Sequence, residues 1–405
     1  TKIRLTLMNF LQYAVWGAWL ISLGAYLGNT LKFDGLQIGS FFATMGIASL
    51  FMPAVMGIIA DRWIPAQRLL GLCHLFAAGF ITLAATRTDY NSLYTLVLLS
   101  VMFYMPTIAL SNSVAYNALE KAGLDTVTHF PPIRVWGTVG FICAMWVVDL
   151  GKMGLSATQL YFSATLGLIL GLYSFTLPNC PINRSGGGKS IVDLLGLRAF
   201  ALFKQRKMAI FFIFSMLLGM SLQITNAFAD GYIKSFGDTG IHGAKYLGTF
   251  GVEHSTILIS LSQISETLCI LLIPFFLKRF GIKRVMLIAM FAWVLRFALL
   301  GAGNPGPGVW MFILSMIVYG VAFDFFNISG SLFVEKETSA AIRSSAQGVF
   351  MMTNGLGALI GSYLAGWVVN HYGWPLSWYL FAGFSLVVAI VFAVIFKYKH
   401  DPNRI

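Results

Sequence analysis

A glutamate stands in the middle of an apolar run: Glu266, in SLSQISETLCILLIPFF (260–276). The uncharged stretch around it extends from Ser255 to Leu277, with Glu266 at its midpoint. At about 1.5 Å rise per residue a helix here would carry the acid to the centre of a bilayer. A charged acid costs about 3 kcal/mol there even on insertion-based scales. Gln263, three residues earlier, shares its helix face. Two readings stand. One is an acid kept protonated by local hydrogen bonds as a packing device. The other is a proton site that cycles between protonated and ionised forms as a cavity opens to either side. The midplane position favours the second.

Other polar residues fall inside apolar runs. Asp324 lies in IVYGVAFDFFNISGSLFV (317–334) and Arg296 in AWVLRFALL (292–300). Isolated intramembrane charges are costly, so the simplest expectation is that these two pair. Asp324 would then be a lock, leaving Glu266 as the proton carrier. In FPPIRVWGTVGF (130–141) the prolines mark a helix start near Pro131 or Pro132. Arg134 then reads as an interfacial cation. It also heads a stripe with Thr138 and Phe141 at i+4 and i+7, which would offer one cavity a cation, a hydroxyl and an aromatic. Gln223 and Asn226 in LQITNAFAD (222–230) stand one turn apart, suited either to bridging helices or to a ligand edge. Tyr319 and Phe323 share a face at i, i+4, a spacing common in plain packing. As a set these residues suit a polyhydroxylated ligand with a planar heterocycle, stacked on rings and read along its edge. A plain sugar would use aromatics and acids too.

Several chemistries have no support. Cys73, Cys143 and Cys269 lie in apolar runs and Cys180 in a polar loop, so neither a disulfide framework nor a metal site is indicated. The six histidines lack i, i+4 metal spacing. GGGKS (186–190) resembles a phosphate loop, but position 183 is Asn where that loop needs Gly, so ATP drive is not supported. No nucleophile–base pair points to an enzyme. No cofactor is called for.

The elements that must position these residues are membrane spans. Of 405 residues 58% are apolar and 10% charged, with a mean hydropathy of +0.78; soluble domains average about 25% charged. Twelve apolar segments run near 5–29, 36–60, 68–86, 92–118, 131–150, 156–178, 208–233, 255–277, 284–303, 308–334, 342–369 and 376–397. The first is too long for a signal-peptide core. The longest polar link, 179–207, divides the chain into 1–178 and 208–405. All but seven of the 27 Lys and Arg fall in loops on the N-terminal side. Lys32, Arg87, Lys152, Lys234 and Lys245 are opposite, and Arg134 and Arg296 lie within spans. Both termini and the central loop are therefore expected in the cytoplasm. The net charge of +12 is a topology signal and not a nucleic-acid footprint. GIIADRWIPAQRLL (57–70), with Gly57, Asp61, Arg62 and Arg68, resembles the gating-loop motif of the major facilitator superfamily; FFLKRFGIKRVML (275–287) echoes only its basic residues. The expected fold is all-α and integral to the membrane: twelve helices in two six-helix bundles, with substrate near the midplane.

Longer runs are more specific. FLQYAVWGAWLISLGAYL (10–27), GIASLFMPAVMGIIADRW (46–63), FPPIRVWGTVGFICAMWVV (130–148), MAIFFIFSMLLGMSLQITN (208–226), SQISETLCILLIPFFLKRFGIK (262–283) and SMIVYGVAFDFFNISGSLFVEKE (315–337) resemble the nucleoside:proton symporter family of that superfamily. The resemblance covers nearly the whole chain. It implies proton-driven import of purine and pyrimidine nucleosides across a bacterial cytoplasmic membrane by a monomer. It assigns substrate contacts to Arg134, Thr138, Phe141, Gln223, Asn226, Gln263, Glu266, Tyr319 and Phe323, and coupling to Glu266 and Asp324. After Asn226 the chain reads AFAD (227–230), where the family more usually has Phe-Gly-Asn. A sugar or other small-solute carrier on the same fold is the alternative.

Overall fold

The computed structural model describes residues 1–182, 197–339 and 343–399; GGGKS lies outside them. Every regular element among these residues is helical. Among the described residues nine helical runs are long and apolar enough to cross a membrane. One of them, Ser255–Ala302, holds two spans, because Gly281 at φ 84° turns the chain between the eighth and the ninth. The first span is Lys2–Gly17 continued, after a non-helical stretch, by Leu23–Thr30. The sixth is the short helix Thr158–Ser174. With these the described residues contain the twelve expected spans. The seventh is also interrupted, as Arg206–Gly219 and Ile224–Ser235.

The chain divides into two compact units, Thr1–Phe33 with Ser40–Leu194, and Asp34–Gly39 with Leu195–Ile405. Inside the first, span one packs on span five, and span three on spans four and six. Inside the second, span seven packs on span eleven, and span nine on spans ten and twelve. The pairing scheme repeats. Its chemistry repeats too. Lipid tails are as apolar as leucine, so helices associate through close packing of small residues. In the first unit a Cβ at Gly140 would sit under 3.0 Å from the Phe10 carbonyl oxygen, and one at Gly17 equally close to that of Phe141. In the second, Gly357 and Gly361 stand in the same relation to the carbonyls of Met216 and Met220.

The expected start of the fifth span needs correction. The helix is Thr126–Leu150, capped by Asp125, so Pro131 and Pro132 lie inside it. The cap supplies the start signal that the prolines were expected to give. Asp61 is exposed and Arg62 ends the second span, in the last turn before the short link to Ala66–Ala85.

Gly140→Ala and Gly357→Ala are expected to lower the unfolding temperature in detergent, each by forcing a helix off its neighbour's backbone. Gly383→Ala, with nothing within 4 Å of the added carbon, should leave it unchanged. Equal melting of all three variants would refute the packing account.

Candidate functional site

In the first unit, Asp125 fixes the register of the fifth span. Its carboxylate accepts from the Thr128 hydroxyl at 2.7 Å and from the Val127 N–H at 3.3 Å. Arg134 is therefore in the third turn, about 13 Å along the axis from the cap, rather than at the helix entrance. Its guanidinium lies over the Tyr13 ring at 3.9 Å from the centroid. Gly137 allows this, since a Cβ there would meet both Tyr13 and the Arg134 head group. Phe141 is buried and meets Trp16 edge-on at 6.4 Å. Thr138 is half-buried on the same helix. Arg134 is thus held by an aromatic face as well as a helix, an arrangement that orients a planar fork.

Behind this group is a buried polar network that the sequence did not reveal. Gln12 donates to Thr107 at 2.8 Å and its Oε1 meets His74 Nε2 at 2.7 Å. The Tyr104 hydroxyl donates to the Gln12 carbonyl at 2.6 Å, and the Tyr104 ring packs on Trp16 at 5.7 Å. Four separated residues on three spans share no local signature.

In the second unit, Gly320 controls the geometry. A Cβ there would press into Ser265, whose hydroxyl donates to the Ile317 carbonyl. This brings the eighth span against the tenth. Glu266, next to Ser265, therefore stands on the eighth span at the level of this contact with the tenth, the span that carries Tyr319 and Asp324. Tyr319 and Phe323 stack nearly parallel at 5.8 Å and 12°. Gln223 stands at the start of the seventh span's second half, where its Oε1 accepts from Asn226 Nδ2 at 3.0 Å. Gln263 is half-buried on the eighth span, and no hydrogen bond among the described residues engages its amide.

The expected pairing of Arg296 with Asp324 does not form. The buried Arg296 donates to the Ser315 carbonyl at 2.9 Å and stacks on Tyr319 at 4.6 Å. Asp324 is 3% exposed and its Oδ2 has no partner among the described residues. Tyr319 and Asp324 are five residues apart, about 140° around the helix, so a cation lying on one ring cannot also meet that carboxylate. Arg296 instead backs the aromatic wall, and Asp324 is left facing the eighth span. The departure at AFAD also has an explanation. Asp230 accepts from the Ser255 and Thr256 hydroxyls at 2.6 and 3.1 Å and pairs with Lys234 at 2.5 Å, tying the seventh span to the first turn of the eighth. No group of metal-ligand type occurs among the described residues.

The Thr128 hydroxyl, with the Val127 N–H, holds the Asp125 carboxyl below the usual carboxylate range. A depressed value in the folded state means that the cap stabilises above the ordinary 3.8 and that this is lost as pH falls through the folded value. Asp125→Ala should lower the unfolding temperature at pH 7 and Asp125→Ser should restore most of it. The gap between wild type and the alanine variant should shrink below pH 4; a gap constant with pH would overturn the assignment.

The chain is similar to known proteins over nearly its whole length. The family model described as nucleoside H+ symporter matches residues 1–401. The chain is 51% identical to the nucleoside permease NupG of Escherichia coli K12, over 98% of this chain and 96% of that one. It is 50% identical to the xanthosine permease of the same organism, over 99% and 97%. A crystal structure of the nucleoside transporter NupG superposes with a TM-score of 0.91 at 51% identity, covering 98% of this chain and 99% of that one. Matched from end to end by family, relatives and fold, this chain is a multi-pass membrane protein of the nucleoside H+ symporter family.

Proposed function

We propose that this protein imports purine and pyrimidine nucleosides across a bacterial cytoplasmic membrane together with protons, as a monomer working by alternating access. One observation carries the proposal: Glu266 directly follows Ser265, which packs on Gly320 of the tenth span, and that span carries the stacked Tyr319–Phe323 pair and a buried carboxyl, Asp324. Two neighbouring carboxyls cannot both ionise cheaply away from water, so the pair suits taking up and releasing one proton. In this reading Tyr319 and Phe323 stack on the heterocycle, and Gln223 and Asn226 offer it donors and acceptors. Gln263 and Glu266 take the ribose hydroxyls. Arg134, Thr138 and Phe141 supply the contacts from the first unit. Asp324 adjusts when Glu266 loses its proton. Asp61 and Arg62, in the last turn of the second span, lead into a cytoplasmic gating loop, with both termini on that side. The proton gradient is the energy source, and no cofactor takes part.

One proton per nucleoside would support about 50-fold accumulation for each 100 mV of membrane potential. In proteoliposomes with an imposed inward proton gradient, wild type should accumulate labelled uridine above equilibrium. Glu266→Gln should equilibrate uridine and still exchange it across the membrane, yet not concentrate it. Gradient-driven accumulation by that variant at the wild-type level would refute the proton assignment. Competition by hexoses in place of nucleosides would refute the substrate.

A further inference from the structure

A buried imidazole in the first unit has no part in the proposed transport cycle. His74, on the third span, is 1% exposed. A polar side chain that deep in a membrane protein is costly unless its hydrogen bonds are answered. Its role follows from assigning the protons around it one at a time. The Thr107 hydroxyl donates its only proton to the Tyr104 carbonyl. Toward Gln12 it can therefore only accept, so the Gln12 amide nitrogen, at 2.8 Å, is the donor. That turns the Gln12 Oε1 toward His74, whose Nε2, at 2.7 Å, must carry the imidazole hydrogen. Nδ1 is left with no hydrogen-bond partner among the described residues. His74 serves as a donor through Nε2.

The group held by these bonds is the last helical turn before the break in span one. The first helix ends at Gly17, so the turn from Gln12 to Trp16 has no continuous helix after it. Glycine contacts at Phe10 and Gly17 set its distance from the fifth span. Packing on glycine limits approach but leaves a helix free to turn, whereas hydrogen bonds are directional. Gln12 supplies the direction. Its side chain is tied to the third and fourth spans, and its carbonyl accepts from the Tyr104 hydroxyl at 2.6 Å. The next residue, Tyr13, carries the ring on which the Arg134 guanidinium lies at 3.9 Å. Trp16, one turn further on, meets both Tyr104 and Phe141.

Taking the proposed nucleoside transport and its contact at Arg134 as given, we infer that His74 is a positioning residue for substrate binding. Through Gln12 it fixes the rotation of the first span, and with it the Tyr13 ring that seats the Arg134 guanidinium. The imidazole itself touches no substrate. Glutamine can stand in for it, because the glutamine amide nitrogen has about the reach of Nε2. Asparagine cannot, because its amide nitrogen matches Nδ1.

The test is binding of labelled uridine to purified wild type, His74→Leu, His74→Asn, His74→Gln, Tyr13→Leu and the double variant His74→Leu with Tyr13→Leu. Kd is read from the midpoint of saturation, which does not depend on the fraction of protein that is folded. His74→Leu and His74→Asn should weaken binding about fivefold, the size of one cation–ring contact. His74→Gln should restore the wild-type value. Tyr13→Leu should weaken binding by a similar factor, and adding His74→Leu to it should change nothing further. A histidine that merely supports the fold would give effects that multiply. Multiplying effects would overturn the inference, as would wild-type Kd in both His74→Leu and His74→Asn, or no rescue by His74→Gln. Failure of the wild type to bind uridine would instead overturn the transport reading on which the inference rests.

Discussion

Close approach of helix to helix at glycine is the constraint on which the rest depends. In a bilayer no hydrophobic force draws one apolar helix to another, and contact area has to come from backbones that can touch. Gly140 and Gly17 provide that between spans one and five, Gly357 and Gly361 between spans seven and eleven, and Gly320 between spans eight and ten. A side chain at any of these would lie too close to its neighbour's backbone or side chain. Arg134 reaches Tyr13, and Glu266 stands at the level of the tenth span's Gly320, because these contacts are short.

The same closeness sorts the polar residues. Buried groups need partners, and several find them across spans: Gln12 with His74 and Thr107, Asp230 with Ser255 and Thr256, while Lys234 pairs with Asp230 within its own helix. Arg296 is held by a carbonyl and a ring rather than an acid, with its Nε left without a hydrogen-bond partner among the described residues. Asp324 therefore keeps no cation against it, and its Oδ2 has no hydrogen-bond partner among the described residues.

The interrupted helices serve the same end. Span seven stops at Gly219 and restarts at Ile224, and Leu218, Gly219 and Leu222 at this break line a small pocket. Span one is broken in its corresponding part, after Gly17. Irregular backbone within a membrane is tolerated where it lines a cavity or is buried in protein, and both breaks follow a glycine at which two helices touch.

Periodicity and composition were enough to read the spans and Glu266 as an anomaly, because burying a charge in lipid leaves a mark visible in one dimension. The stripes Arg134–Thr138–Phe141 and Tyr319–Phe323 were legible too, since helical faces follow from residue spacing alone. Partnership was not. That Arg296 lies on Tyr319 and not against Asp324, and that Asn354 joins Asn327 at one pocket, depend on rotation and depth of separate helices. Those are set by which glycine meets which carbonyl, a relation between residues far apart in the chain. The sequence by itself determined which residues had to be accounted for; the tertiary structure decided which of them answer one another.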